Sequence, residues 1–188
     1  LSPIVLLHML RHGISASLVC MFISSVLRES IKQLVGPDLV IKELNRYMLL
    51  LHNEKIGIPY YFTAIYMVVD TEKKTIEYVN AGHPQGFALV DDTKTVPLDK
   101  GSCAVGFFDE IEVKKETITY EKDIQIILYT DGVLEAMNPC EIQSEKQLEQ
   151  LASKRWKQSQ SLIDNLLTKE QQTAQPDDMC VLMIKCNE

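Results

Sequence analysis

The hydrophobic pattern of the first quarter of the chain predicts one strand followed by two helices. Residues 4–9 form a short apolar run, which is typical of a buried strand. From about residue 15 to 34, apolar side chains recur at every fourth position, as on the buried face of a helix, and Gly36-Pro37 ends that pattern. A second helical period begins at Asp38, a candidate N-cap, and continues to residue 51.

The middle of the chain is strand-rich, and helical composition returns only near the C-terminus. Two β-branched and aromatic runs, at 61–69 and 75–80, flank a polar turn and predict an antiparallel hairpin. Further short strands are predicted at 86–90, 95–98, 111–120 and 124–129, then helices within 144–169 and a last apolar strand at 179–186. Because strands and helices are grouped rather than alternating, the order predicts an α+β fold and not a parallel α/β fold.

Length, charge and cysteine content restrict the classes of function. The 188 residues, 46% of them apolar, predict a single domain spanning 1–188. A net charge of −7 argues against a general nucleic-acid-binding surface and against insertion into or binding to anionic membranes. No apolar run is long enough to span a bilayer, and the N-terminal stretch lacks the basic start of a signal peptide. Five cysteines without metal-ligand spacing predict buried, reduced thiols in a cytoplasmic protein.

Aspartates stand at the ends of two apolar strands. Asp131 follows the strand at 124–129 and precedes Gly132, and the pair Asp177-Asp178 directly precedes the last strand. If both strands lie in one sheet, the carboxylates come together, and such a group is costly unless a cation neutralises it. Hard oxygen ligands of this kind suit Mg²⁺ or Mn²⁺. The spacing leaves open the alternative that each aspartate only caps the following turn or helix.

Glycine-containing segments follow two of the predicted strands. Arg11-His12-Gly13 joins the first strand to the first helix, where backbone N–H groups suit an anion, although Ser15 is equally suited to be an ordinary N-cap. Asn80-Ala81-Gly82-His83-Pro84 follows a later strand. Gly82 permits a close approach of another backbone segment, and His83 taken alone is more typical of a turn than of a catalyst.

Together these segments resemble the metal-dependent protein serine/threonine phosphatase (PPM) family, and most closely its bacterial SpoIIE/RsbU-type branch. The matching strings occur in order through almost the whole chain. They are HGISASL at 12–18, NAGHP at 80–84, the glycines at 101 and 106, YTDGVLEA at 129–136 and PDDM at 176–179. Each string alone is a weak signal, but five in the family's order make coincidence unlikely.

The resemblance implies a fold, a cofactor and a substrate class. The fold is α+β, with two antiparallel sheets packed as a sandwich and flanked by helices. Two divalent cations, Mn²⁺ or Mg²⁺, are held by aspartates, and a water between them attacks phosphorus in line without a phospho-enzyme. By motif matching, Asp131 and Asp177 are the catalytic metal ligands, Asp178 is the second candidate of its pair, and Gly13 and Gly82 lie near the metals. Substrates of this branch are phosphoserine or phosphothreonine on STAS-type anti-sigma antagonist proteins.

The sequence departs from the family at the end of the first strand. His8 stands where the family has the aspartate that bridges both metals, and Arg11 replaces a glycine. The family also takes a ligand from an earlier strand, and the sequence begins after it, so the predicted fold lacks that first strand. A neutral imidazole adds one nitrogen and no charge, and it suits Mn²⁺ better than Mg²⁺. Arg11 and Gly13 are weak candidates for binding the substrate phosphate.

Three interpretations follow from this departure. The sequence is a fragment of a longer protein, or a catalytically degenerate phosphatase that acts as a protein-binding regulatory module, or a domain that binds one metal weakly through Asp131, Asp177 and His8. Two partner arrangements also stay open, homodimerisation through the two N-terminal helices and fusion to a sensor domain.

Overall fold

The structure is a computed structural model that describes residues 1–9, 14–33, 36–51, 61–137, 141–174 and 177–187. Its elements, in chain order, are β1 (Ser2–Met9), α1 (Ile14–Lys32), α2 (Pro37–Leu51), β2 (Phe62–Asp70), β3 (Thr75–Ala81), β4 (Gly86–Val90), β5 (Lys94–Leu98), β6 (Gly101–Ser102), β7 (Glu116–Thr119), β8 (Ile124–Tyr129), α3 (Asp131–Met137), α4 (Glu141–Ala152), α5 (Ser159–Leu166), α6 (Lys169–Ala174) and β9 (Val181–Cys186). Two sheets and six helices in these ranges confirm the predicted α+β class.

The chain divides into two compact units, each with one sheet. The first unit comprises Leu1–His83 and Lys100–Thr119, and the second comprises Pro84–Asp99 and Tyr120–Glu188. The sheet of the first unit has the order β1-β2-β3, and both β6 and β7 pair with β3. All its pairings are antiparallel except the two-residue pairing of β6 with β3. The β2–β3 pairing is the hairpin that the sequence predicts.

The core of the first unit forms where α1 and α2 cover one face of its sheet. Alternate residues of a strand point to the same face, so Phe62, Ala64 and Tyr66 of β2 present one apolar stripe. The helices contribute apolar side chains spaced three or four residues apart, as the sequence period predicts. The helical members of this core are Val19, Ile23, Leu27, Val40, Ile41, Leu44 and Met48.

The sheet of the second unit has the order β5-β4-β8-β9 and is antiparallel throughout. β8 is central and fully buried along its six residues. Its core gathers apolar side chains from the sheet and from the C-terminal helices, namely Phe87, Ile127, Tyr129, Val133, Leu148, Ala152, Leu162, Leu166 and Leu167.

A buried glutamine joins β8 to the connection between α4 and α5. Gln125 is fully buried, and its Nε2 donates to the Lys154 carbonyl at 2.8 Å while its Oε1 accepts from the Trp156 N–H at 2.9 Å. The Trp156 indole N–H donates in turn to the Leu151 carbonyl at 2.7 Å. A polar side chain is tolerated here because both ends of its amide are satisfied.

Three predicted boundaries differ from the structure. Of the strand predicted at 111–120 only β7 forms, because Ile111 and Val113 pack against the core of the first unit instead of pairing in the sheet. Helical structure continues beyond residue 169, where the predicted helical stretch ends, because α6 spans Lys169–Ala174. Helix α2 begins at Pro37, so Asp38 lies in the first turn rather than at the N-cap, as expected for proline at the first helical position.

Cysteine exposure partly corrects the sequence prediction. The cysteines that the structure describes are free thiols, and of these Cys180 is exposed whereas Cys20, Cys103 and Cys186 are half-buried. Burial raises the pKa of the Cys20 thiol. Cys140 lies outside the described residues. None of the helices in the described ranges combines the length and apolar character needed to cross a bilayer.

Replacing Gly101 by alanine tests the close contact of β6 with β3. A Cβ at this position would clash with the backbone oxygen and nitrogen of Asn80, the residue that pairs with Gly101 in the sheet. We expect Gly101→Ala to lower the free energy of unfolding by about 1–3 kcal/mol in urea titrations. The neighbouring change Ser102→Ala should stay within about 0.5 kcal/mol of wild type. Equal stability of the two variants would contradict this packing.

Candidate metal centre

The candidate site of the second unit lies where β8 ends and β9 begins. Tyr129 at the end of β8 pairs with Val181 at the start of β9. Because the two strands are antiparallel, the chain leaving β8 runs beside the chain entering β9. Asp131 is the first residue of α3, two residues after the end of β8, and Asp177 lies four residues before β9. The sequence expectation that both aspartate groups meet at neighbouring strand ends therefore matches the topology.

Thr130 fastens these two backbone segments to each other. Its N–H donates to the Cys180 carbonyl at 3.1 Å. Its hydroxyl donates to the Asp178 carbonyl at 2.8 Å and accepts from the Cys180 N–H at 2.9 Å. Thr130 is only 5% exposed, so these three bonds are formed largely out of contact with water. We call this set of three bonds the Thr130 clip.

Gly132 lets the two segments approach each other closely. A Cβ added there would lie 2.7 Å from the Asp178 carbonyl oxygen and 3.1 Å from the Asp177 carbonyl carbon and oxygen. These neighbours are backbone atoms that the Thr130 clip holds in place. Any side chain at position 132 would therefore push the Asp177-Asp178 segment away from Asp131.

The carboxylates of Asp131 and Asp177 face each other across this junction. Their nearest ligand oxygens lie within 4.8 Å, and both residues are half-buried, whereas Asp178 is exposed. Backbone N–H groups also orient them: Gly132 donates to Asp131 Oδ1 at 3.1 Å, and Asp178 donates to Asp177 Oδ1 at 2.7 Å. Two like charges at this separation repel by about 1 kcal/mol in water and by about 3–4 kcal/mol at an effective dielectric constant of 20. A divalent cation with oxygen preference would offset that repulsion.

The Asn-Ala-Gly-His string forms a structural turn in the first unit. The Asn80 side chain donates to the His83 carbonyl at 2.9 Å and accepts from the His83 N–H at 2.8 Å. Gly82 has a φ of +68°, and a Cβ there would lie 2.8 Å from the Ala104 nitrogen. The expectation that Gly82 permits a close backbone approach is thus confirmed. His83 is buried, with its Nδ1 3.1 Å from the Thr63 hydroxyl.

His8, which motif matching in the sequence predicts to stand at the bridging position, lies in the first unit. It is half-buried near the end of β1 and pairs with Thr63 of β2. Directly opposite residues of antiparallel strands share a face, so His8 is a neighbour of the Thr63 hydroxyl that contacts His83. The remaining predicted site residues, Arg11 and Gly13, lie outside the described residues.

Thr130 is the residue of this site whose role the sequence did not reveal. The string Tyr-Thr-Asp-Gly contained it, but no spacing argument distinguished its hydroxyl from any other at a strand end. One signal in the sequence could have revealed this role. A small residue with a hydroxyl group stands between a buried strand and a carboxylate, where it can form a hydrogen bond to the adjacent strand.

Comparison with known proteins identifies relatives over most of the chain. The family model described as Stage II sporulation protein E (SpoIIE) matches residues 8–187. Phosphoserine phosphatase RsbP of Bacillus subtilis (strain 168) is 34% identical over 137 residues, covering 73% of this chain and 34% of RsbP. Phosphoserine phosphatase RsbU of the same organism is 25% identical over 179 residues, covering 92% of this chain and 52% of RsbU. The chain thus spans between a third and about half the length of these curated relatives.

Solved structures share the fold at low sequence identity. The SiaA-PP2C domain of Pseudomonas aeruginosa superposes with a TM-score of 0.77 at 15% identity, covering 98% of this chain and 76% of that one. RsbX in complex with magnesium superposes with a TM-score of 0.68 at 17% identity, covering 98% and 80%. At these identities the likeness shows the fold alone.

Replacing Thr130 by valine tests whether the clip positions the carboxylates. Valine keeps the volume of threonine but removes the hydroxyl, so the Asp178 carbonyl and the Cys180 N–H both lose a bond. We expect the free energy of unfolding to fall by about 1–3 kcal/mol in urea titrations. We also expect Mn²⁺ affinity, measured by titration calorimetry, to fall at least about tenfold, as when a ligand loses its orienting partner. Thr130→Ser should restore both properties, and unchanged Mn²⁺ affinity in the valine variant would show that the clip does not orient the ligands.

Proposed function

The chain belongs to the SpoIIE family, in the SpoIIE/RsbU-type branch of the metal-dependent protein phosphatases, and we propose from this premise that it hydrolyses phosphoserine or phosphothreonine on a regulatory protein. The observation that carries the proposal is the pair of carboxylates, Asp131 and Asp177, held within 4.8 Å in the second unit. The names of RsbP and RsbU, both phosphoserine phosphatases, support the same reaction class.

The donor set of the second unit fits a divalent metal ion. Two half-buried carboxylates, oriented by backbone N–H groups, provide the hard oxygen ligands that Mg²⁺ and Mn²⁺ prefer. The magnesium complex of RsbX, which has this fold, supports a divalent cofactor. We propose that Asp131 and Asp177 hold one such ion and that the exposed Asp178 is at most an auxiliary ligand. A metal in this position supplies Lewis acidity toward a phosphoryl oxygen and lowers the pKa of a bound water.

Asp131 and Asp177 provide negative charge at fixed positions. Asp131 and Asp177 are fixed by the Thr130 clip and by the absence of a side chain at Gly132, so little reorganisation is needed when a ligand enters. In the bonds described, their oxygens act as acceptors, which leaves lone pairs for a cation. His8 as a further ligand stays a prediction of the sequence.

The proposed biological substrate is a phosphorylated STAS-type anti-sigma antagonist, as the resemblance to this branch implies. Dephosphorylation of that protein would place the chain in sigma-factor regulation, in the cytoplasm. Three further expectations also stay predictions. They are a single SpoIIE-type domain over 1–188, homodimerisation, and fusion to a sensor domain.

The second candidate function is a degenerate phosphatase that binds partners without catalysis. The imidazole at position 8 is the observation that favours it.

Metal-dependent hydrolysis is the direct test of the proposed reaction. With excess Mn²⁺ the chain should release phosphate from a phosphoserine peptide and from p-nitrophenyl phosphate, and EDTA should stop the release. Asp131→Ala and Asp177→Ala should each lower kcat/KM at least about a hundredfold, because each removes a charged ligand. Asp178→Ala should have a weaker effect, and Asp164→Ala on the surface of α5 should have none. Robust hydrolysis in EDTA, or full activity of Asp177→Ala, would contradict the mechanism.

Restoring the family's carboxylate at position 8 distinguishes the two candidate functions. If the rest of the site is competent, His8→Asp should raise Mn²⁺ affinity and kcat/KM for p-nitrophenyl phosphate by about tenfold or more, since it adds an anionic ligand. The control is His8→Asn, which adds no charge and should not raise either value. A wild-type chain that binds Mn²⁺ without hydrolysis, and gains none with His8→Asp, would support the partner-binding module.

A further inference from the structure

A cavity of about 410 Å³ lies in the first unit, where α1 ends and α2 begins over the sheet. The helices contribute Ile31, in the last turn of α1, and Gly36, which precedes α2. Four lining residues form one row of paired positions across four strands, namely Pro3, Val68, Glu77 and Thr117. Paired residues share a face of the sheet, and Tyr66 lies on that face two residues before Val68. We call the space that these residues line the row cavity.

The size and the lining of the row cavity suit a small molecule. Ligand sites in proteins usually have volumes of about 300–1,000 Å³ and combine mostly apolar walls with a few polar groups. Pro3, Ile31 and Val68 provide apolar walls, and Tyr66 brings a hydroxyl group. Since an apolar cavity of about 150 Å³ is enough for benzene, the row cavity has room for a molecule of about two fused rings.

Tyr66 carries a polar group that no protein atom satisfies. The residue is only 1% exposed, and its ring is part of the core of the first unit. Within the part of the chain that the structure describes, its hydroxyl forms no hydrogen bond. Burial raises the pKa of this phenol, so the hydroxyl stays protonated and can both donate and accept. A buried polar group without a partner is costly, and a ligand that supplies the missing hydrogen bond therefore gains affinity.

The charged side chains that line the row cavity are already paired. The Lys73 N–H donates to Asp70 Oδ1 at 2.9 Å, and the Lys73 ammonium lies 3.6 Å from the same carboxylate. Glu77 accepts from the Lys115 ammonium at 2.9 Å. A charged ligand would lose its hydration in a largely apolar space and would compete with these pairs. An uncharged ligand meets neither cost, so the lining favours a neutral molecule.

We propose that the row cavity binds an uncharged, largely apolar small molecule that forms one hydrogen bond with the Tyr66 hydroxyl. None of the proposed metal ligands lines the cavity, so the inference does not depend on the proposed function. The bound molecule contacts the end of α1, the start of α2 and strands of the same sheet. Because it binds the folded state, it also stabilises the chain against unfolding.

Three probes of nearly the same size test the ligand class on the full chain. They are 2-naphthol, which is neutral and carries a hydroxyl, naphthalene, which lacks it, and 2-naphthoate, which is an anion. Affinities are measured by chemical-shift titration in NMR. The variants are Tyr66→Phe, which removes only the hydroxyl, and Thr117→Trp, which fills the cavity from an exposed position on β7. The matched controls lie outside the cavity: Tyr47→Phe on α2 and Thr173→Trp at an exposed position on α6.

We expect the wild-type chain to bind 2-naphthol more tightly than naphthalene, and 2-naphthoate at least about tenfold more weakly than 2-naphthol. Tyr66→Phe should weaken binding of 2-naphthol about two- to tenfold, the range for one lost hydrogen bond, and should leave the affinity for naphthalene unchanged. Thr117→Trp should abolish binding of both neutral probes. Both control variants should bind them as the wild type does.

Several results would overturn the proposal. A wild-type chain that does not bind 2-naphthol up to its solubility limit has no such site. Equal affinity of the wild type and Tyr66→Phe for 2-naphthol would remove the hydroxyl from recognition, and tighter binding of 2-naphthoate would contradict the neutral ligand class. Full binding by a folded Thr117→Trp variant would place the probe elsewhere. If that variant does not fold, the comparison of the two neutral probes on Tyr66→Phe decides the question alone.

Discussion

The candidate metal centre depends on holding two like charges together at the ends of β8 and β9. Asp131 and Asp177 repel each other, and nothing in their own chemistry would keep them within 4.8 Å. The Thr130 clip keeps them there, because its three hydrogen bonds fix the backbone on either side. The buried sheet of the second unit supports the clip in turn, since every residue of β8 is buried. The fold thus holds the two carboxylates close together, and a cation bound between them would offset their repulsion.

In the first unit, too, hydrogen bonds from single side chains hold the loops in place. The Asn80 side chain closes the turn at His83, and Asn45 fixes the loop that carries Phe107 and Phe108. Each asparagine is buried, and each uses both its amide donor and its carbonyl acceptor, so neither leaves a polar group unsatisfied. Each of these loops is therefore held by two hydrogen bonds from one buried side chain.

The sequence was sufficient for the elements whose pattern is local and repetitive. The four-residue period of α1 and the hairpin of β2 and β3 were predicted within a few residues, because burial alone dictates them. The sequence-based prediction was wrong where contacts between residues distant in the chain determine the local structure. Ile111 and Val113 alternate like strand residues, but their side chains pack against the helix-covered core of the first unit. The clip itself joins positions about fifty residues apart, so no local pattern reveals it.

We propose that Asp131 and Asp177 together hold one divalent metal ion. Because this proposal specifies the position of a bound ion, crystallography is the most direct test of it. Crystals of the chain soaked in MnCl₂ should show one strong anomalous peak at the manganese edge, with an oxygen of each of the two aspartates at about 2.1–2.3 Å, the range for hard oxygen ligands. An empty site at saturating Mn²⁺, or a peak bound only by other carboxylates, would contradict it.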